Sequence, residues 1–194
     1  MEKFKSFIID KGQLTEQEFE LLSNKFRIKE INKGQTLLQK GDVCRNAFFV
    51  EKGLLKMYSI NEHGVKNIIQ FAPEDWIVMD RGSAYFNEPT EYFIDAIESS
   101  IVVQISEDFM GSAAELNPKF RRFNEILLQN HIRHLQKRIS LLIGSSAEVR
   151  YLDFIKLYPN LTQRVPQWMI ASYLGVAPES LSRVRKELYL KSKK

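Results

Sequence analysis

The sequence predicts an α+β fold: an N-terminal antiparallel β-roll of jelly-roll type, then a long helix, then a small helical C-terminal domain. Three observations predict it. Between about Phe26 and Phe109, short β-rich runs alternate with turn residues. From Pro118 onward, apolar residues recur at steps of three and four. Basic charge is concentrated at the end: residues 145–194 carry nine Lys/Arg against four Asp/Glu, while residues 1–144 carry nineteen against twenty.

The elements follow in order. "LTEQEFELL" places Thr15 three residues before Glu18, a capping box, with Leu14 and Phe19 spaced to staple the helix entry. A short N-terminal helix is expected there. The opening "MEKFKSFIIDKG" starts basic, but Asp10 and Lys11 cut its apolar stretch short and no small-residue cleavage site follows. It is therefore not read as a secretory signal. The runs "TLLQ", "NAFFV", "LLKMYSI", "VKNIIQF", "YFIDAI" and "SIVVQI" read as strands, punctuated at Gly34, Gly41, Gly53, Asn61–Gly64 and Asn87–Pro89. "NEHG" between two such runs reads as a hairpin turn.

Asn117-Pro118 marks a boundary. Phe120, Phe123, Leu127, His131, Leu135, Ile139 and Leu142 then form one stripe of a helix over about 118–143, roughly 40 Å long at 1.5 Å per residue. A helix of that length is expected both to lie on its own domain and to pair with a second copy. "GSSAE" at 144–148 is the natural hinge, and "VRYLDFIKLY" a further short helix stopped before Pro159. Three segments result: a roll at 1–116, a dimerisation helix at 117–143 and a C-terminal domain at 144–194.

Composition narrows the function classes. With 44% hydrophobic and 27% charged residues the chain has ordinary globular composition. Cys44 is the only cysteine, which rules out an internal disulfide, a four-cysteine zinc site and a cysteine-held iron–sulfur cluster. Its longest apolar runs are far too short to cross a bilayer, so a cytoplasmic protein with no membrane partner is expected. His131 and His134 lie one helical turn apart, as metal or haem ligands can, but no third ligand is in view and the expected reading is stripe or surface histidines. A cupin-like metal enzyme needs several histidines and carboxylates converging from strands, yet the roll holds only His63, in a turn. With no catalytic triad order or phosphate-binding glycine loop, the expectation is a non-enzyme without a cofactor.

The stretch 166–188 carries the function. Pro166 can open a helix over Gln167–Leu174, with Ile170, Ala171 and Leu174 on its inner face. Gly175 allows a left-handed turn, Val176 plugs it, and Pro178 can start the next helix. Leu181, Val184 and Leu188 point one way on that helix; Glu179, Ser182, Arg183 and Lys186 fall on the opposite face. This is helix-turn-helix geometry, whose second helix presents its outer face to the major groove of double-stranded DNA. An ordinary helical hairpin packed into a core shares the glycine turn and the amphipathic faces, but not the local basicity. The alternative function is a ligand-binding protein with a weak or decayed DNA-binding role, against which the intact helix-turn-helix pattern argues. Arg bridges guanine O6 and N7, and Glu accepts from cytosine N4. The candidate DNA-binding set is Glu179, Ser180, Ser182, Arg183, Arg185 and Lys186, with Arg185 on the flank better placed for phosphate. Glu179 also suits a helix's first turn as a favourable acid.

Taken together, a β-roll resembling a cyclic-nucleotide-binding domain, a long helix and a C-terminal, winged-helix-like helix-turn-helix resemble the Crp/Fnr family of bacterial transcription regulators over nearly the whole chain. "SSAEVRYLDFIKLYPNLTQRVPQWMIASYLGVAPESLSRVRKEL" is similar to the branch common in Bacteroidetes. The resemblance implies that Glu179, Ser182 and Arg183, matching the family's Glu-x-x-Ser-Arg pattern, contact operator bases. It further implies a homodimer on a two-fold-related operator, a small-molecule effector of unknown identity, and RNA polymerase as a partner if the protein activates.

The sequence also departs from that pattern. Val78 and Met79 stand where cyclic-nucleotide-binding members carry Gly-Glu, and Thr90 and Glu91 where they carry Arg-Ser. Losing that arginine removes the countercharge to a cyclic phosphate, so cAMP is not the expected effector, though Arg81 lies nearby. Ala177 replaces a capping Ser or Thr, a loss of about 1 kcal/mol. The tail "KSKK" leaves no room for a full wing; its lysines either reach phosphates or are solvated.

Overall fold

The computed structural model of the chain describes residues 1–191 and 193, so Lys194 of the basic tail lies outside the described residues. Contacts group the chain into two compact units. The first comprises Met1–Ile60 and Ile69–Gln129; the second comprises Asn61–Ile68 and Asn130–Lys194.

Eight strands build two four-stranded antiparallel sheets. They are β1 (Phe26–Ile31), β2 (Thr36–Leu38), β3 (Asn46–Lys52), β4 (Leu55–Ile60), β5 (Lys66–Ala72), β6 (Ile77–Val78), β7 (Phe93–Ala96) and β8 (Ser100–Ser106). One sheet has the order β1-β8-β3-β6 and the other β2-β7-β4-β5. All six runs expected as strands are strands, and "NEHG" is the turn between β4 and β5. There the Asn61 side-chain oxygen accepts from the His63 and Val65 amides, and Gly64 adopts φ 75°.

Side-chain alternation explains why β3 and β8 read as continuous apolar runs. Phe48, Val50 and Val102 face the core shared with Leu38, Leu55, Met57 and Ile94 of the second sheet. Ala47, Phe49, Val103 and Ile105 face the opposite way, into a second core with Phe4, Ile8, Leu14, Phe19, Phe109 and Phe120. A sheet covered on both faces has no polar side to alternate with. The second core is aromatic: the Phe4 ring lies 5.2–6.0 Å from those of Phe19, Phe26, Phe49 and Phe109.

The helices that cover this sheet are α1 (Glu2–Ser6), α2 (Glu16–Leu21) and α4 (Phe109–Leu116); α3 (Arg81–Phe86) lies between β6 and β7. The Thr15–Glu18 capping box closes at the start of α2. After α1 the chain makes one wide turn, with the Gly12 amide donating to the Phe7 carbonyl at 3.1 Å. Strands β1 and β6, helices α1, α3 and α4, and a short helix at Leu161–Arg164 were not among the expected elements. Strand β1 is an edge strand whose Arg27, Lys29 and Glu30 hide the alternation, a common way to blunt an exposed edge.

A polar ladder crosses the second sheet. The Thr36 hydroxyl donates to Asp95 at 2.9 Å, and Asp95 pairs with Lys56 at 3.7 Å, with both Lys56 and Asp95 buried. Burial raises the Tyr58 phenol above its ordinary range, reinforced by Asp95 beside it. No pattern in the sequence announces this ladder, because each member sits alone in its strand.

Helix α5 runs unbroken over Pro118–Gly144, and Ser146 caps α6 (Ala147–Leu157) by accepting from the Val149 amide. Then come α7 (Leu161–Arg164), α8 (Gln167–Leu174) and α9 (Pro178–Lys191). The second unit's core is Phe154, Tyr158 and Tyr173, with ring centroids 5.3–5.8 Å apart, together with Leu161, Ile170, Ala171 and Leu181. None of the helices is long and apolar enough to cross a membrane among the described residues.

Gly53 is a tight point of the roll. It adopts φ 101°, and an added Cβ would stand 2.8 Å from the Ser100 Cα. Gly53→Ala is expected to destabilise the protein by about 2 kcal/mol or more, read as a lower midpoint in chemical denaturation.

Candidate nucleic-acid interface

The helix-turn-helix is organised by the end of α8. A helix leaves its last four carbonyls without intrahelical donors. Here each has one. The Val176 amide donates to Ala171 O at 3.0 Å and the Gly175 amide to Ser172 O at 3.1 Å. These two bonds form a Schellman turn, with Gly175 left-handed at φ 65°, ψ 40°. Arg138 of α5 donates through Nη2 to Tyr173 O at 3.2 Å, and Arg150 of α6 through Nη1 to Leu174 O at 2.8 Å. The Arg138 guanidinium also stacks 4.0 Å above the Tyr173 ring.

Gly175 is the residue best suited to this turn. Beyond its positive φ, an added Cβ would come within 3.2 Å of Leu142 Cδ2. Helix α9 then begins at Pro178, and the Ala177 carbonyl accepts from the Leu181 amide at 3.1 Å, with no side-chain cap to assist. Leu181 anchors the helix, being almost fully buried, while Val184 and Leu188 are half-buried beside it. At the far end, Lys191 pairs with Glu148 of α6 at 2.8 Å.

The outer face of α9 presents the residues expected to read DNA. Glu179, Ser182, Arg183 and Lys186 are exposed; Ser180 and Arg185 are half-buried on the flanks. Among the described residues, none of these six side chains makes a hydrogen bond or ion pair within the protein. The exposed face thus offers two cations, one anion and a hydroxyl whose hydrogen-bonding capacity is uncommitted.

Around α3 of the roll, Asp80, Thr90 and Glu91 are paired from within. Val78 is buried and Met79 partly buried in the core. Asp80 caps α3 by accepting from the Gly82 and Ser83 amides, and its other oxygen accepts from the buried Thr90 hydroxyl at 2.6 Å. Glu91 pairs with Lys40 at 2.5 Å. Arg81 is partly buried, and that burial lowers its pKa.

Comparison with known proteins places the molecule. A model of the cyclic nucleotide-binding domain matches residues 28–116. Regulatory protein HlyX of Actinobacillus pleuropneumoniae is 31% identical over 187 residues, covering 88% of this chain and 75% of that protein. The chain belongs to the Crp/Fnr family of transcription regulators. A second Crp/Fnr relative, an anaerobic regulatory protein of Pasteurella multocida, is 32% identical over 187 residues, covering 88% of this chain and 66% of that protein. The fold agrees: the structure of FixK2 from Bradyrhizobium japonicum superposes with a TM-score of 0.73 at 17% identity, covering 86% of each chain. Like these relatives, the Crp/Fnr chain is of a regulatory class. No three potential metal ligands converge among its described residues.

His134 on α5 is half-buried in a cleft with Lys137, Arg138 and Asp153. Burial lowers its pKa below the usual 6.5, with Arg138 adding to the shift. A histidine harder to protonate in the folded than the unfolded state contributes stability above pH about 6.5, and that contribution is lost as the pH falls. Between pH 7 and pH 5 the wild-type melting temperature should therefore drop more than that of His134→Gln, measured by scanning calorimetry.

Proposed function

We propose that the protein is a homodimeric, sequence-specific DNA-binding regulator, with α9 as its recognition helix. The observation that carries this reading is the uncommitted outer face of α9, on a helix fixed by four satisfied carbonyls and a glycine turn. In this reading Arg183 takes guanine O6 and N7, Glu179 and Ser182 contact neighbouring bases, and Arg185 and Lys186 engage phosphates, with Ser180 at the edge of the contact.

Dimerisation is supported by α5. Leu128, Ile132, Leu135, Ile139 and Leu142 recur at alternating steps of four and three and are 38–55% exposed. That spacing is a coiled-coil seam. Phe120 and Phe123, by contrast, are taken up by the first unit's aromatic core. A two-fold dimer reads half-sites one helical turn apart, roughly 34 Å.

The roll's effector, in this reading, is not a cyclic nucleotide. Asp80 places a negative charge at the start of α3, Thr90 is spent on Asp80, and Glu91 adds a second carboxylate where a cyclic phosphate needs a cation. A small molecule of other chemistry, or no ligand, fits these residues better.

On an operator selected from random duplexes, Arg183→Ala should lose about 1–3 kcal/mol of binding while affinity for random DNA changes little. Equal losses on both, by fluorescence anisotropy, would remove Arg183 from base reading. Ile139→Glu should convert the dimer to a monomer in sedimentation velocity, because it places a charge in the apolar seam.

A further inference from the structure

We propose that Ser172 and Arg138 form a clasp between the 61–68 hairpin and helix α8, and that this clasp fixes the angle at which the recognition helix meets DNA. The inference rests on the DNA-binding reading above and adds the residues that position the reading head.

The geometry begins at a sheet edge. Strand β5 is the outermost strand of its sheet, so Lys66 and Ile68 direct backbone groups away from β4. The Ser172 hydroxyl fills the place of a further strand. It accepts from the Ile68 amide at 3.0 Å and donates to the Lys66 carbonyl at 3.0 Å. Arg138 completes the edge by donating through Nη2 to the Ile68 carbonyl at 3.1 Å.

The same Nη2 also reaches Tyr173 O at 3.2 Å. One guanidinium on α5 therefore joins the hairpin to the last turn of α8, two residues before the glycine that sets α9's direction. Ser172 sits on that same turn. A change at the hairpin acts on α8 directly, rather than only along α5. The clasp is also suited to opening. Each of its hydrogen bonds is one that water can replace when the clasp opens.

Ser172 and Arg138 are positioning residues. Neither belongs to the face that reads bases, so their loss should alter geometry more than chemistry. Half-site spacing reports that geometry, because each inserted base pair shifts and rotates one half-site relative to the other.

The test uses the full-length protein and the operator that the wild type selects from a random duplex pool, together with a duplex lengthened by one base pair between half-sites. The wild type is expected to lose about tenfold or more on the lengthened duplex. Ser172→Ala should lose about threefold or less, and Ser172→Thr, which keeps the hydroxyl, should restore the wild-type penalty. In parallel, hydrogen exchange should show the Ile68 amide less protected in Ser172→Ala than in the wild type. If Ser172→Ala fails to fold, Arg138→Gln carries the same comparison.

Equal spacing penalties in wild type and variant overturn the inference while leaving DNA binding intact. Unchanged Ile68 protection in a folded Ser172→Ala protein overturns the clasp itself. Failure of the wild type to select any operator overturns the DNA-binding reading, and this inference with it.

Discussion

The C-terminal carbonyls of α8 are the constraint on which the second unit turns. A helix that stops short in order to start another in a new direction exposes a cluster of acceptors at its end. Here the backbone supplies two donors through the Schellman turn, and Arg138 and Arg150 supply the other two. Because the two guanidiniums come from different helices, satisfying α8 also ties it to α5 and α6. The direction of α9 follows from that junction together with Gly175.

The roll solves the opposite problem. Several of its polar groups around α3 are consumed internally, Asp80 by the helix amides and the Thr90 hydroxyl, and Ser83 by the Cys44 amide and the Glu88 carbonyl. The head leaves its outer polar face unpaired. A surface that must exchange partners keeps its hydrogen-bonding capacity free, whereas one that must hold a shape spends it. On the DNA-binding reading proposed above, recognition falls to α9, while the groups around α3 hold the shape of the roll.

Much of this was legible in the sequence where a residue's chemistry allows one role. Gly175 and Pro178 marked the turn, Thr15 and Glu18 the cap, and Asn117-Pro118 the start of α5. The six strand-like runs were legible because β-branched and aromatic residues cluster between glycine-bearing turns. What stayed hidden depended on distant partners. Strand β1 is masked by edge charges, and the Thr36–Asp95–Lys56 ladder joins residues scattered over three strands. On α5, the stripe read from Phe120 to Leu142 divides in three dimensions. Its first residues belong to the roll's core, and the exposed apolar row runs instead through Leu128 and Ile132. Periodicity gives a helix its faces, but it does not say which neighbour takes each one. The roles of Arg138 and Arg150 were similarly invisible, since a basic residue on a long helix reads as solvated until its acceptor is known.

The outer edge of β5 has a further consequence, for solubility. An unpaired strand edge is a template on which other chains can build sheet, and proteins usually guard it with charge, a bulge or a cover. Here the cover is a serine hydroxyl and a guanidinium supplied by helices, so the edge at Lys66 and Ile68 is sealed without a strand. Whatever loosens α8 from the hairpin also bares that edge. If the proposed clasp positions α9, the same three hydrogen bonds serve both that positioning and protection against self-association.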